Sequence, residues 1–251
     1  MEKGLVSIIT PCYNGEKYIG ETIRSVQSQS YDKWEMIIVD DGSKDGSAAL
    51  VEGFVREDSR IRLVRQENAG SAAARNNGIR LCEGQYIALL DADDLWEPDF
   101  LKEQIAFLKE KDAVCVCCAY RCIDENSKEI LHPVQVKPVI TTKDMMVTNH
   151  IGCLSGLYDC SRHGKIYLRE ELKSLRDDYA YWLDIVKLEG VAYGNPKLLA
   201  RYRVLAGSTT GNKKKLIGKQ YKFYREFLGL SVPKSAVNLV RWGLRGLKKY
   251  S

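Results

Sequence analysis

Apolar positions along this chain gather into short continuous runs, each closed by polar or small residues. Leu5-Val-Ser-Ile-Ile-Thr10, Trp34-Glu-Met-Ile-Ile-Val39, Ile61-Arg-Leu-Val64 and Tyr86-Ile-Ala-Leu-Leu90 have strand length, and near-continuous apolar runs of that length belong to strands covered on both faces. Between them the spacing changes to that of helices: Tyr18, Ile19, Ile23 and Val26, then Ala49, Leu50, Phe54 and Val55, then Ala72 to Leu81. Strand, helix, strand in succession predicts right-handed βαβ units and a mostly parallel sheet with helices on both faces. Pro98 suits the first turn of a further helix through Phe100, Leu101, Ile105 and Leu108, and 113–120 reads as a strand. Residues 129–140 read as irregular or paired strands, 141–147 as a short helix, and 152–158 as a strand whose small residues leave room for a ligand's sugar. Tyr181, Trp182, Ile185 and Leu188 share one face of a helix that begins at Asp177-Asp178. Two strands, near 191–193 and 198–204, and then Ser208-Thr-Thr-Gly complete the body.

Those runs end in acids. Leu90 is followed by Asp91-Ala-Asp93-Asp94, and Val39 by Asp40-Asp41-Gly42-Ser43. Carboxylates crowded at a strand end repel one another and lose hydration, an arrangement that fits a hard divalent cation with oxygen ligands. In an open parallel sheet, ligands bind beyond the carboxyl ends of the strands. The pattern therefore predicts a metal-diphosphate site. Asp177 and Asp178 have a second explanation, since acids at a helix start are stabilised by the helix dipole whether or not they do chemistry.

Charge adds a second feature. The net charge is +5, but from Lys213 to Ser251 eleven Lys and Arg face one acid, Glu226, so the rest of the chain is acidic at −5. Beyond Pro233, Val237, Val240, Leu244 and Leu247 lie at helical spacing near Trp242, with Lys234, Arg241, Arg245, Lys248 and Lys249 elsewhere on the helix. A basic amphipathic helix of this kind suits an anionic membrane surface; the alternative is an ordinary terminal helix docked on the body. Nucleic acid is not expected as a partner, because the aromatics cluster with aliphatics and no reader motif is present. Eight unevenly spaced cysteines, with no signal peptide before Val6, point to reduced thiols in a cytoplasmic protein. Cys115, Cys117, Cys118 and Cys122 read as buried small hydrophobes in a strand, not a zinc site. No run of apolar residues is long enough to span a membrane.

Taken together, four motifs in order, Val6-Ser-Ile-Ile-Thr-Pro-Cys-Tyr-Asn14, Ile38-Val-Asp-Asp-Gly-Ser43, Asn68-Ala-Gly-Ser-Ala-Ala-Ala-Arg-Asn76-Asn-Gly78 and Leu90-Asp-Ala-Asp-Asp94, resemble the family 2 glycosyltransferases of the GT-A fold. The resemblance is in particular to the bacterial enzymes that build capsule, O-antigen or teichuronic-acid-type polymers. It is strong over the first hundred residues and extends more loosely to about residue 225. It implies a GT-A domain over 1–211, with a nucleotide-binding half (1–110) and an acceptor-binding half (111–211), followed by the basic helical tail at 212–251.

By position, the resemblance places Pro11 and Tyr13 against the nucleotide base and ribose. It gives Asp41 the hydrogen bond from the uracil ring nitrogen and Arg75 the diphosphate or the acidic motif. Asp91 and Asp93 match the family's Asp-x-Asp, Asp93 as ligand of Mn²⁺ or Mg²⁺ and Asp91 nearer the ribose or a metal-bound water. Asp178 matches the catalytic base, with Asp177 as the competing assignment. Leu205 stands where family members often carry a His near the metal, so less of the cation's shell is expected from protein. Asn238-Leu-Val-Arg241-Trp242 mimics the Gln-x-x-Arg-Trp of processive synthases, but its first residue differs and no spanning helix accompanies it. The function implied is an inverting, metal-dependent transfer of a sugar from a UDP-sugar to a hydroxyl of a saccharide, with a polyprenyl-diphosphate-linked acceptor expected. The protein would be peripheral on the inner face of the cytoplasmic membrane. A sugar-phosphate nucleotidyltransferase would want a Gly-rich, Lys- and Arg-bearing loop after the first strand, and Pro11-Cys-Tyr-Asn-Gly15 is not one. A non-catalytic nucleotide-sugar-binding protein is the remaining alternative.

Overall fold

The computed structural model describes residues 1–172, 175–205 and 213–249. Strand β1 (Glu2–Cys12), helix α1 (Ile19–Gln27), β2 (Trp34–Asp40), α2 (Ser47–Glu57), β3 (Ile61–Arg65), α3 (Ser71–Leu81) and β4 (Gly84–Leu89) form the first half. Next come β5 (Leu95–Trp96), α4 (Phe100–Glu110), β6 (Cys115–Ile123), β7 (Glu129–Val134), β8 (Val139–Thr141), α5 (Thr142–Met145) and β9 (Gly156–Asp159). After α6 (Asp177–Glu189) and β10 (Val191–Arg203), the chain ends in α7 (Lys213–Lys222), a π-helical turn Phe223–Phe227 and α8 (Val232–Lys249).

The sheet runs β3-β2-β1-β4-β9-β6-β10-β5, with β7 on β6 and β8 on β10. Strands β1 to β4 pair in parallel, and β10 pairs with β6 in parallel. Strand β9 is antiparallel to both β4 and β6, so those two point the same way, and the sheet is mostly parallel in direction. Each central strand is buried on both faces, which is why its apolar run is continuous. Val6 and Ile8 pack on one side with Ile23, Phe54 and Phe100, whereas Ile9 packs on the other with Ala74, Ile79 and Trp182. Gly78 allows α3 onto the sheet, because a Cβ there would stand 2.6 Å from the Ile9 side chain.

Four elements differ from the sequence-based expectation or refine it. The 152–158 segment opens as a 3₁₀ turn over Cys153–Ser155 and becomes a strand only at Gly156, where a Cβ would run into the Trp182 ring. The two strands expected after 190 are one, β10; Asn195-Pro196 shifts the register against β6 without ending the pairing. Helix α6 is apolar nearly all round, with Tyr179 to Leu183, Ile185 and Val186 buried, since it is covered by the sheet on one side and the C-terminal segment on the other. The Cys115, Cys117, Cys118 and Cys122 thiols are buried in β6, with Cys115 and Cys117 on one face and Cys118 and Cys122 on the other.

The C-terminal segment docks by an unexpected face. Phe223 stacks on Tyr179 with centroids 4.5 Å apart, the Tyr224 hydroxyl donates to the Val147 carbonyl, and Asn238 Nδ2 donates to the Met146 carbonyl at 3.2 Å. Ser235, Asn238 and Leu239 are thus turned inward, while Val237, Val240 and Leu244 are 51 %, 63 % and 59 % exposed. The apolar stripe legible in the sequence faces out, with Leu247 outside the described side chains. Among the described residues no helix is long and apolar enough to cross a membrane. Ser208-Thr-Thr-Gly lies outside the described residues.

Candidate active site

The acid cluster sits where β4 stops. Asp94 N bonds the Asp91 carbonyl at 3.1 Å, closing a tight turn. Thr22 Oγ1 on α1 donates to the Ala92 and Asp94 carbonyls at 2.9 Å each, which pins the turn from outside. Burial, with Asp91 beside it, pushes the Asp93 carboxyl up to about 6. Asp94 is buried, and burial together with the charges of Asp93 and Asp91 pushes its carboxyl well above the usual range. Its Oδ1 accepts from Arg203 N at 2.8 Å, and Oδ2 has no partner among the described residues. Carboxyls this reluctant to ionise are what a divalent cation would relieve. Among the described residues no three His, Cys, Asp or Glu side chains surround one point. A pair of carboxylates completed by substrate phosphate oxygens is nevertheless an ordinary shell for Mg²⁺ or Mn²⁺, so Asp91 and Asp93 fit the group.

Arg75, on α3, joins this cluster to the start of α6. Its Nη2 donates to Asp91 Oδ1 at 2.5 Å and its Nη1 to Asp177 Oδ2 at 3.1 Å, with only 7 % of the side chain exposed. Its Nε is buried without a partner among the described residues. Ser71 Oγ adds a bond of 3.2 Å to the same Asp177 oxygen. Asp177 is thereby turned toward the acid turn. Asp178, one residue on, has a different neighbourhood: Asn149 Nδ2 approaches its Oδ2 at 3.3 Å, and burial with the Asp177 charge raises its carboxyl above the usual range. Cys153 closes the space between the two halves, with its Sγ 3.9 Å from Asp91 Oδ1.

At the other strand end, Tyr13, Gly42, Lys44, Arg65, Gln66, Glu67 and Asn68 line an open cavity of about 620 Å³. Tyr13 is half exposed over it. Asp41 lies underneath, not on the lining. Its Oδ1 accepts from Gln66 Nε2 and Ala69 N, both at 2.8 Å, and its Oδ2 from Gly70 N at 2.9 Å. Pro11 pairs with Val39 within the sheet and does not reach the lining. Gly70, at φ 91°, turns the chain from this loop into α3 and so toward Arg75.

Two residues given no role in the sequence analysis also hold the site. Arg203 is fully buried: Nε donates to the Asp93 carbonyl at 2.8 Å, Nη1 to the Asp124 carbonyl and Ser127 Oγ, and Nη2 to Glu21 Oε2 at 2.8 Å. It also lies over the Tyr18 ring at 4.5 Å. Asn149 is the second, through Asp178. A Tyr-Arg-Val strand end is a weak signal for the first; the polar 148–150 stretch is none for the second.

Residues 7–176 match the family model described as glycosyl transferase family 2. Over 248 residues the chain is 35 % identical to the putative teichuronic acid biosynthesis glycosyltransferase TuaG of Bacillus subtilis, covering 98 % of each protein. It is 31 % identical over 253 residues to the UDP-Glc:alpha-D-GlcNAc-diphosphoundecaprenol beta-1,3-glucosyltransferase WfgD of Escherichia coli, covering 100 % of this chain and 97 % of that one. Among solved structures, that of S. aureus TarS residues 1–349 in complex with UDP-GlcNAc superposes with a TM-score of 0.71 at 21 % identity, over 94 % of this chain and 71 % of TarS. That likeness fixes the fold as GT-A.

Proposed function

Since this chain belongs to glycosyl transferase family 2 and is a glycosyltransferase, we propose that it transfers a sugar, with inversion, from a UDP-sugar to a hydroxyl of a polyprenyl-diphosphate-linked saccharide in cell-surface polysaccharide synthesis. Family membership sets aside the nucleotidyltransferase and the non-catalytic binder. The observation that carries the reading is Arg75, which brings the strand-end acids and the α6 acids into one site. TuaG and WfgD, similar along their whole length, carry names from such pathways, and the name of WfgD specifies UDP-Glc and a lipid-diphosphate acceptor.

In this reading the uridine lies in the cavity under Tyr13, with Pro11 below. A carboxylate offers about four lone-pair positions; three on Asp41 are taken, and the fourth receives the uracil N–H. Asp91 and Asp93 would hold Mn²⁺ or Mg²⁺, which when bound neutralises charge on the departing UDP. Arg75 steadies the acidic motif through Asp91. Asp178 takes the proton of the acceptor hydroxyl as that oxygen attacks the anomeric carbon opposite the UDP. Arg75 hydrogen-bonds Asp177 and Asp91 and leaves the Asp178 carboxylate to Asn149, and the raised proton affinity of Asp178 suits a base. Asp177, engaged by Arg75 and Ser71, is the structural partner. Exposed Val237, Val240 and Leu244 beside Lys234 and Arg241 would rest on an anionic membrane surface on its cytoplasmic side, where donor and lipid-linked acceptor meet.

The test uses UDP-glucose and UDP-GlcNAc with a GlcNAc-diphospho-polyprenol in detergent, following UDP release with and without Mn²⁺. Asp178→Asn should bind UDP as wild type does and lose transfer by about a hundredfold or more. Undiminished turnover of that variant would remove Asp178 from the role, and no sugar transfer from either donor in wild type would count against the donor class.

A further inference from the structure

The chain enters α6 through Arg176 in the left-handed region, at φ 59° and ψ 38°. Long side chains rarely adopt that conformation. Its guanidinium faces the Trp242 ring of α8 at 5.6 Å. Among the described residues it makes no ion pair, and its Nε is buried without a hydrogen-bond partner. Its neighbour Asp177 is engaged by Arg75 and does not neutralise it. Arg176 stands two residues before Asp178 at the start of α6, and its charge favours the charged form of that carboxyl. A guanidinium offers five donors in a fixed fork, matched to two oxygens of a phosphate.

Its location orders the chemistry around it. On one side is Asp178, where an acceptor hydroxyl would be deprotonated. On the other is Trp242, two residues from Val240 and two from Leu244 on the helix whose apolar stripe is exposed. A lipid-linked saccharide has the same sequence of parts: hydroxyl, sugar ring, diphosphate, hydrocarbon. We propose that Arg176, backed by Trp242, is the binding site for the diphosphate of the lipid-linked acceptor. This rests on the reading of Asp178 as base and of the acceptor as lipid-linked, and it adds the group that recognises the acceptor's anion.

The probes are farnesyl diphosphate and inorganic pyrophosphate, titrated by calorimetry into full-length protein saturated with UDP and Mn²⁺ so that the donor's own phosphate site is filled. Arg176→Asn removes the cation while suiting the left-handed backbone, so it should fold with an undiminished unfolding midpoint and unchanged UDP affinity. It should bind farnesyl diphosphate about tenfold or more weakly, the effect of losing charge-assisted hydrogen bonds. Arg176→Lys should fall between the two, keeping the charge but not the fork. Pyrophosphate binding with the same dependence on Arg176 assigns the contact to the phosphates. Equal farnesyl diphosphate affinity in wild type and Arg176→Asn, or no binding to UDP-filled wild type, overturns the site. Asp178→Asn should leave this binding intact, so a failed base and a failed diphosphate site give different results.

Discussion

Replacing Arg75 by methionine removes a buried charge while keeping an unbranched apolar stem. In the wild type the guanidinium holds Asp91 at 2.5 Å and Asp177 at 3.1 Å, and each charge-assisted hydrogen bond of this kind contributes about 1.5–3 kcal/mol. The two carboxylates respond differently to its loss. Asp91 is 31 % exposed and regains water, so its share of the loss is small. Asp177 is 9 % exposed and among the described residues keeps the Ser71 hydrogen bond alone, so its charge is left without an ion pair. Breaking a buried pair by removing one partner costs about 3–5 kcal/mol, and at about 2–4 °C per kcal/mol for a chain of this size the unfolding midpoint should drop by about 6–20 °C. Urea denaturation monitored by tryptophan fluorescence measures the first number and a thermal scan the second. Because the cost comes from an uncompensated charge, Arg75→Met with Asp177→Asn should recover a large part of the loss; the two changes are coupled, not additive. A loss below about 1 kcal/mol for Arg75→Met, or strict additivity in the double variant, would refute the electrostatic account of this bridge.

Gly156→Ala places a methyl group against the Trp182 ring and should destabilise the protein by about 1–3 kcal/mol through overpacking, read as a lower urea midpoint at unchanged slope. Asp58 is held down to about 2 by its hydrogen bonds from Arg60, so its contribution is present above pH ~4 and is lost as pH falls toward 2. Discounted for the solvent around Arg60, Asp58→Asn should cost about 1 kcal/mol at pH 7 and progressively less as pH falls through about 2; a deficit that stays constant across urea melts at pH 7, 4 and 3 would contradict this. Val240→Glu, on a side chain 63 % exposed, should leave the unfolding midpoint unchanged and reduce co-sedimentation with phosphatidylglycerol liposomes several-fold. Unaltered co-sedimentation would argue against α8 as the membrane-facing element.

Much of the first half is legible in the sequence because its signals are local. An apolar run that stops in carboxylates can be read without knowing what lies beside it, and β1, β2 and β4 with Asp41, Asp91 and Asp93 at or just beyond their ends are of this kind. The second half depends on partners far along the chain. Strand β9 is short and opens with Gly156, so nothing local says that it inserts between β4 and β6. Asn195-Pro196 carries turn chemistry, yet the neighbouring β6 holds both sides of it in one strand. The buried role of Arg203 comes from Glu21, Asp93, Asp124 and Ser127, none of them near it in sequence. On α8 the periodicity reveals the amphipathic stripe but not which side docks: the inward face is the one carrying Ser235 and Asn238, whose polar groups are satisfied by main-chain carbonyls.

The Arg203 clamp also sets an order of assembly. Its bond to the Asp93 carbonyl joins residues 110 apart in sequence, and its bond to Glu21 joins residues 182 apart. During synthesis, domains emerge from the N-terminus at about 5–20 residues per second, so β1 to β4 can pair several seconds before Arg203 leaves the ribosome. Until then the acid turn is without the guanidinium that fixes it. A nascent chain therefore pairs β1 to β4 first and gains a rigid acid turn only when β10 is laid down, after most of the polypeptide has been made.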